Sequence, residues 1–183
     1  MDSIQSLFRQ IYSEYSILVY NLALHYVLNI EDAEEITQDV FVKVYQSAEK
    51  FKNKSTLKTW IYRITINQCL DFIKHKNSKK RFFIFGKKTA SEKEYLNLPD
   101  FYHPGIALEN KEKSAQLFAV INELPEKQKT AFLLSKLDGM SNPEIAETMQ
   151  LSISATESLL VRAKKTLQEK LSEKFEMHRR KKQ

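Results

Sequence analysis

The residues best placed to do chemistry lie between positions 50 and 81. Ten Lys or Arg fall in this stretch (positions 50, 52, 54, 58, 63, 74, 76, 79, 80 and 81) against a single acid, Asp71. Within it, Thr59, Arg63, Asn67, Asp71 and Lys74 recur at spacings of three and four, one stripe of a helix. Cations of this density suit phosphate, and Arg and Asn side chains suit base edges. Phe51, Trp60 and Tyr62 add rings able to stack on unpaired bases, although core packing is the plainer role for Trp60 and Tyr62. A solvated charge run would explain the lysines, but it leaves the missing acids unexplained.

A second constellation runs from Leu124 to Leu171. Ser141 followed by Glu144 forms a capping box, with Pro143 in the first turn, where its missing N–H costs least. Ile145, Ala146 and Met149 give this short helix an apolar face, and Gln150-Leu151-Ser152 breaks it. Ser152 or Ser154 caps the next helix, and Ser154 with Glu157 makes another box. Leu159, Leu160, Ala163 and Leu167 continue at helical spacing, flanked by Arg162, Lys164 and Lys165. Two helices across a tight turn, the second carrying cations, make a helix-turn-helix. The alternative is an ordinary αα-hairpin in a bundle. Small Ala146 at the crossing and the basic turns after it favour DNA.

Ahead of both lies a region of opposite charge. Positions 31 to 39 hold five acids (Glu31, Asp32, Glu34, Glu35 and Asp39) and no Lys or Arg. A helix start explains part of this, because acids are stabilised there. It does not explain why Gln38, Asp39 and Val42 share an exposed face, which suits a protein partner.

Catalytic chemistry finds little support. The histidines at 25, 75, 103 and 178 are scattered, and none pairs with Cys69 or a carboxylate at metal-ligand spacing. No Gly-rich phosphate loop occurs. A nuclease would need clustered carboxylates on the basic surface, where Asp71 stands almost alone. The sequence therefore predicts no enzyme and no cofactor. The single cysteine excludes an internal disulfide and fits a reducing compartment, with Cys69 buried. The longest apolar-rich run, Ile17 to Leu28, is shorter than the ~18 residues that suggest a membrane span. A soluble, cytoplasmic protein is expected, without membrane insertion.

These groups need helices to position them. Three Gly and four Pro in 183 residues are few for an all-β chain. The periodicity predicts a helix from Ser3 to Leu28 with Ile4, Leu7, Phe8, Ile11, Tyr15, Leu18, Leu22 and Tyr26 inward. A second runs from Asp32 to about Ala48, started by Asp32 and Glu35, with Ala33, Ile36, Val40 and Val44 buried and Phe41 beside them. A third runs from Thr56 to Lys76 with Leu57, Trp60, Ile61, Ile64, Leu70 and Ile73 inward. Periodicity lapses from Phe82 to Glu112, which reads as a linker. A helix from near Ala107 to Glu123 follows, then one opened by Pro125 and stopped at Asp138-Gly139, then the helix-turn-helix. The predicted fold is all-α: residues 1–81, a linker over 82–112, a second domain over 113–173 and a basic tail over 174–183.

Two blocks carry a family resemblance. The first is Asp32-Ala33-Glu34-Glu35-Ile36-Thr37-Gln38-Asp39-Val40-Phe41, then Phe51, then Thr59-Trp60-Ile61-Tyr62-Arg63-Ile64 with Asn67 and Asp71. It resembles region two of the extracytoplasmic-function sigma factors of bacterial RNA polymerase. The second, Leu124-Pro125-Glu126-Lys127 through Asp138-Gly139-Met140-Ser141 and Glu144-Ile145-Ala146 to Arg162-Ala163-Lys164, resembles region four. Helix-turn-helix cores are common, but both blocks in this order are specific.

The resemblance implies two partners, core RNA polymerase and promoter DNA, and leaves open an anti-sigma factor. It puts Glu35, Gln38 and Asp39 against the clamp helices of the large polymerase subunit. It implicates Phe51, Lys52, Lys54, Ser55, Arg63 and Asn67 in holding the unpaired minus-ten strand. Region four would sit on the polymerase flap and read the minus-thirty-five duplex through Ser154, Thr156, Ser158, Arg162 and Lys165. At two recognition-helix positions where the family often has Lys and Arg, this chain has Glu157 and Leu159, so no contact is transferred there. Glu157 serves either the cap or a cytosine amino group. The competing function is a helix-turn-helix repressor with a ligand-sensing N-terminal half, which would have no use for the basic stretch.

Overall fold

The computed structural model describes the backbone of residues 2–48, 51, 55–86 and 111–180, and side chains over 5–48, 51, 55–78 and 117–173. Lys52, Lys54 and most of the expected linker lie outside the described residues. Those described contain helices and no strand. None of the helices is long and apolar enough to cross a membrane. The chain divides into two compact units, Met1–Phe101 and Tyr102–Gln183.

The first unit packs three helices against one another: α1 (Asp2–Val27), α2 (Ile30–Ser47) and α3 (Leu57–Gly86). Each of the five apolar positions expected inward on α2 is buried: Ala33, Ile36, Val40, Phe41 and Val44. The helix starts two residues earlier than Asp32 because Asn29 is its cap, accepting from the Asp32 backbone N–H at 2.8 Å. Leu28 before it takes a left-handed φ of 54°, and its N–H donates to Leu24 O at 2.8 Å to close α1.

On α1, Ile11, Leu22 and Tyr26 are buried as the spacing predicts, but Leu7 is 44% exposed, while Val19 and Ala23 fill the core. A straight helix drifts from any fixed stripe over seven turns, and α2 covers only part of its length. Phe8 meets Phe41 and Tyr45 edge-on, with ring centroids 6.3 and 5.3 Å away. The core stripe of α3 is Ile61, Thr65, Ile66 and Cys69, with Tyr62 and Gln68 beside it. Of the six positions predicted inward only Ile61 is buried; Leu57, Trp60, Ile64, Leu70 and Ile73 are half-buried. The helix also continues ten residues past Lys76, into the start of the expected linker.

The second unit holds α4 (Lys111–Asn122), α5 (Glu126–Lys136), α6 (Asn142–Met149) and α7 (Ile153–Arg180). Its core is Val120, Ile121, Leu124, Ala131, Leu133, Leu134, Met140, Ile145, Ala146, Leu160, Ala163 and Leu167. Gly139 stops the chain after α5 with φ of 66°, a conformation that costs an L side chain free energy and glycine almost none. Ser141 and Glu144 then form the predicted capping box. The Glu144 carboxylate accepts from the Ser141 backbone N–H at 2.8 Å and from its hydroxyl at 2.6 Å. A cap of this kind stabilises a helix by about 1 kcal/mol.

Candidate nucleic-acid interface

In the first unit, the entry to α3 is shaped by a cap and a ring pair. The Thr56 hydroxyl accepts from the Thr59 backbone N–H at 3.1 Å, so the helix begins just after Thr56. The two threonine hydroxyls lie 2.9 Å apart, which buries Thr59 and removes it from the predicted exposed stripe. Upstream, Phe51 N–H donates to Ala48 O at 3.2 Å, and its ring sits 5.0 Å from Trp60, tilted by 37°. Both rings are half-buried. The chain leaving α2 is thereby pinned to the first turn of α3 on both sides of the basic loop. Ser55 and Arg63 are half-exposed, and Asn67, Asp71 and Lys74 are exposed. Arg63 and Asn67 stand one turn apart on α3, with a guanidinium and an amide on neighbouring positions.

Glu35, Gln38 and Asp39 are all exposed on α2. Their helix is tied to α3 by polar contacts that sequence spacing did not suggest. Gln68 donates Nε2–H to Asp39 Oδ2 at 2.7 Å. Its Oε1 accepts from Lys43 Nζ, and Lys76 of α3 pairs with Asp32. Between the two helices a polar groove of about 460 Å³ is lined by Glu35, Asp39, Lys43, Gln68, Asp71 and His75, among others. Among the described residues, no three His, Cys, Asp or Glu side chains are grouped so as to hold a metal ion.

The second unit has the geometry of a helix-turn-helix. Gln150 takes φ of 55° at the end of α6, and its N–H donates to Ala146 and Glu147 carbonyls. Leu151 N–H returns to Ala146 O at 2.9 Å, so the turn closes within three residues. Ser152 caps α7: its hydroxyl accepts from Ala155 N–H at 3.1 Å. The expected box between Ser154 and Glu157 does not define the start of the helix. Glu157 instead accepts from Asn142 Nδ2 of α6 at 3.4 Å.

Ser154, Ser158, Arg162 and Lys165 are exposed and spaced along one face of α7. Thr156 is not on it. It is 0% exposed, and its hydroxyl donates to Ser152 O at 3.1 Å, so the placement of this residue towards DNA is corrected. Val161, passed over in the sequence between Leu160 and Arg162, is 66% exposed on α7. An exposed apolar side chain on the second helix of a helix-turn-helix is a group able to meet a thymine methyl. The only sequence signal for it is one apolar residue more than the helix needs for its core.

Comparison with known proteins agrees with this geometry. Residues 11–79 match the family model for Sigma-70 region 2, and residues 114–167 match that for Sigma-70, region 4. The chain is similar to the ECF RNA polymerase sigma-E factor of Haemophilus influenzae, 28% identical over 165 residues, covering 90% of this chain and 87% of that protein. It is also similar to the ECF RNA polymerase sigma factor SigW of Bacillus subtilis, 26% identical over 171 residues, covering 91% and 90%. Among solved structures, the fold resembles the sigma factor RpoE from Bartonella quintana in complex with the anti-sigma factor NepR. The TM-score is 0.67 at 22% identity, covering 90% of this chain and 96% of that one. With a region-2 three-helix unit followed by a region-4 helix-turn-helix, the chain belongs to the sigma-70 family, as an extracytoplasmic-function RNA polymerase sigma factor.

Proposed function

We propose that this sigma factor divides its work among three surfaces. The acidic outer face of α2, with Glu35, Gln38 and Asp39, docks on the clamp helices of the large subunit of core RNA polymerase. The basic loop carrying Phe51, Lys52, Lys54 and Ser55, continued by Arg63 and Asn67 on α3, holds the unpaired minus-ten strand. Ser154, Ser158, Val161, Arg162 and Lys165 on α7 meet the minus-thirty-five duplex, and the second unit sits on the polymerase flap. Residues 1–86 and 111–180 are the two working domains, and the segment between them links the two tasks. An anti-sigma factor is a further partner, as the Bartonella quintana protein has one.

One observation carries this reading: the charge is segregated by helix. Within a single three-helix unit, the first half of α2 carries exposed acids, while positions 50–81, which lead into α3 and form most of it, carry ten Lys or Arg against one acid. A repressor with a sensor domain would gain nothing from that separation. It suits a protein that binds a polypeptide on one side and a polyanion on another. The chain then acts by binding alone. An open promoter is favoured because its single strand is held more tightly than the duplex.

The test is transcription in vitro. Purified core polymerase with this chain is expected to give discrete transcripts from genomic fragments, and core alone none. Protection of DNA by the chain without core, and no transcripts with it, would return the protein to the repressor class.

A further inference from the structure

We infer that Gln68 is a positioning residue that fixes the carboxylate of Asp39 for polymerase docking. The inference rests on the docking role proposed above for α2. Gln68 is on α3, in the helix proposed to hold DNA, yet its side chain faces away from that task. It is only 9% exposed and bridges two residues one turn apart on α2. Its Nε2–H donates to Asp39 Oδ2 at 2.7 Å, and its Oε1 accepts from the Lys43 ammonium. Both bonds are charge-assisted, which makes each about twice as strong as a neutral one. They also polarise the amide in the same sense.

This arrangement fixes the amide's orientation. A flipped Gln68 would set its N–H₂ against the ammonium and its carbonyl against the carboxylate. Asp39 and Lys43 have the i,i+4 spacing of a direct ion pair, but the buried amide stands between them. The result is an exposed carboxylate with one oxygen already held. Its rotamer is selected before any partner arrives, so binding does not have to order it. Lys43 is drawn towards Gln68 and not onto Asp39, which leaves the acid's charge available to a basic partner. Buried polar groups are retained only when satisfied, and here each polar end of the amide meets a charged side chain of α2.

A double-mutant cycle on the full chain, measured as affinity for core polymerase, separates positioning from simple packing. Gln68→Met keeps the side chain's length and loses both bonds. It is expected to weaken binding roughly three- to tenfold when Asp39 is present, the scale of one unfixed side chain. In an Asp39→Ala background the same change should have almost no effect. Equal losses in the two backgrounds, or no loss in either, would overturn the inference. Gln68→Asn goes through the same cycle, since its shorter stem withdraws the amide from Asp39; it decides the matter if circular dichroism shows Gln68→Met to be misfolded. An Asp39→Ala chain that binds core as tightly as the wild type sinks the docking role of Asp39 itself, and that result is distinct from any outcome at Gln68.

Discussion

Asn142 at the start of α6 donates its side-chain N–H to Glu157 of α7 at 3.4 Å, across the turn of the helix-turn-helix. Glu157 is therefore drawn towards the neighbouring helix and away from the cap of its own. It remains exposed, beside Ser158 and one turn before Val161. If α7 reads duplex as proposed, an acid there repels phosphate and tolerates few bases. A cytosine amino group is the donor it would accept.

Glu157→Ala is expected to raise affinity for random duplex and to relax the preference at one base pair by about 1–3 kcal/mol. The check is a competition assay over duplexes varied one position at a time. A preference unchanged at every position would remove Glu157 from base reading and leave it as a contact of Asn142.

Thr156 and Arg162 should separate stability from recognition. Thr156 is buried and its hydroxyl is spent on Ser152 O. Thr156→Val should lower stability by about 1 kcal/mol through the lost hydrogen bond. In a unit of this size that shifts the melting temperature by roughly 4–8 °C. Duplex affinity below the transition should stay the same. Arg162→Ala should do the reverse: an unchanged melt, uniformly weaker binding, and a salt slope lower by about one. If Thr156→Val alters base preference at temperatures where it is fully folded, the burial argument is wrong.

At the minus-ten strand, Asn67→Ala is expected to weaken binding of single-stranded oligonucleotides in a base-dependent manner, because an exposed amide reads base edges. Lys52→Ala and Lys54→Ala should weaken all oligonucleotides alike and flatten the salt dependence. Fluorescence anisotropy over a small oligonucleotide set distinguishes the two patterns. A uniform loss for Asn67→Ala would assign it to phosphate.

Which features were legible in the sequence follows from how local their causes are. The α2 core needed only its 3.6-residue period, and each of its five predicted apolar positions is buried. The Ser141 and Glu144 box and the Gly139 turn are set within three or four residues, and both form as predicted. The α3 stripe was misjudged because Trp60 and Ile64 look like core on hydrophobicity alone, whereas Thr65 and Gln68 are the buried positions. Thr65 satisfies its hydroxyl locally on Ile61 O at 2.9 Å, so burying it costs little. Gln68 is satisfied by residues on another helix, 29 and 25 positions away. No local pattern announces such a partner. The family resemblance alone sets Thr156 on the DNA face; its hydroxyl bonds to the preceding turn and the residue is buried.

Reversing charge on α2 gives the most direct test of the polymerase face. Glu35 and Asp39 are one turn apart and both exposed, but they differ in what they touch. Asp39 is hydrogen-bonded to Gln68, so Asp39→Arg loses that bond and places a cation near Lys43. A cost of about 1 kcal/mol in stability is expected. Glu35→Lys and Gln38→Ala change exposed side chains off the Ala33, Ile36, Val40 and Val44 stripe, where substitutions shift stability by no more than about 0.5 kcal/mol. The pair Glu35→Lys with Gln38→Ala therefore isolates docking from folding. Circular dichroism and melting should match the wild type. Capture of core polymerase should nevertheless fall steeply, because a reversed charge at a packed interface is repelled and poorly solvated. Duplex binding by the full chain should be unchanged by the pair, since neither residue lies on α7. Should the well-folded pair capture core polymerase undiminished, docking would have to move off this face, and the segregated charge of the first unit would need another partner.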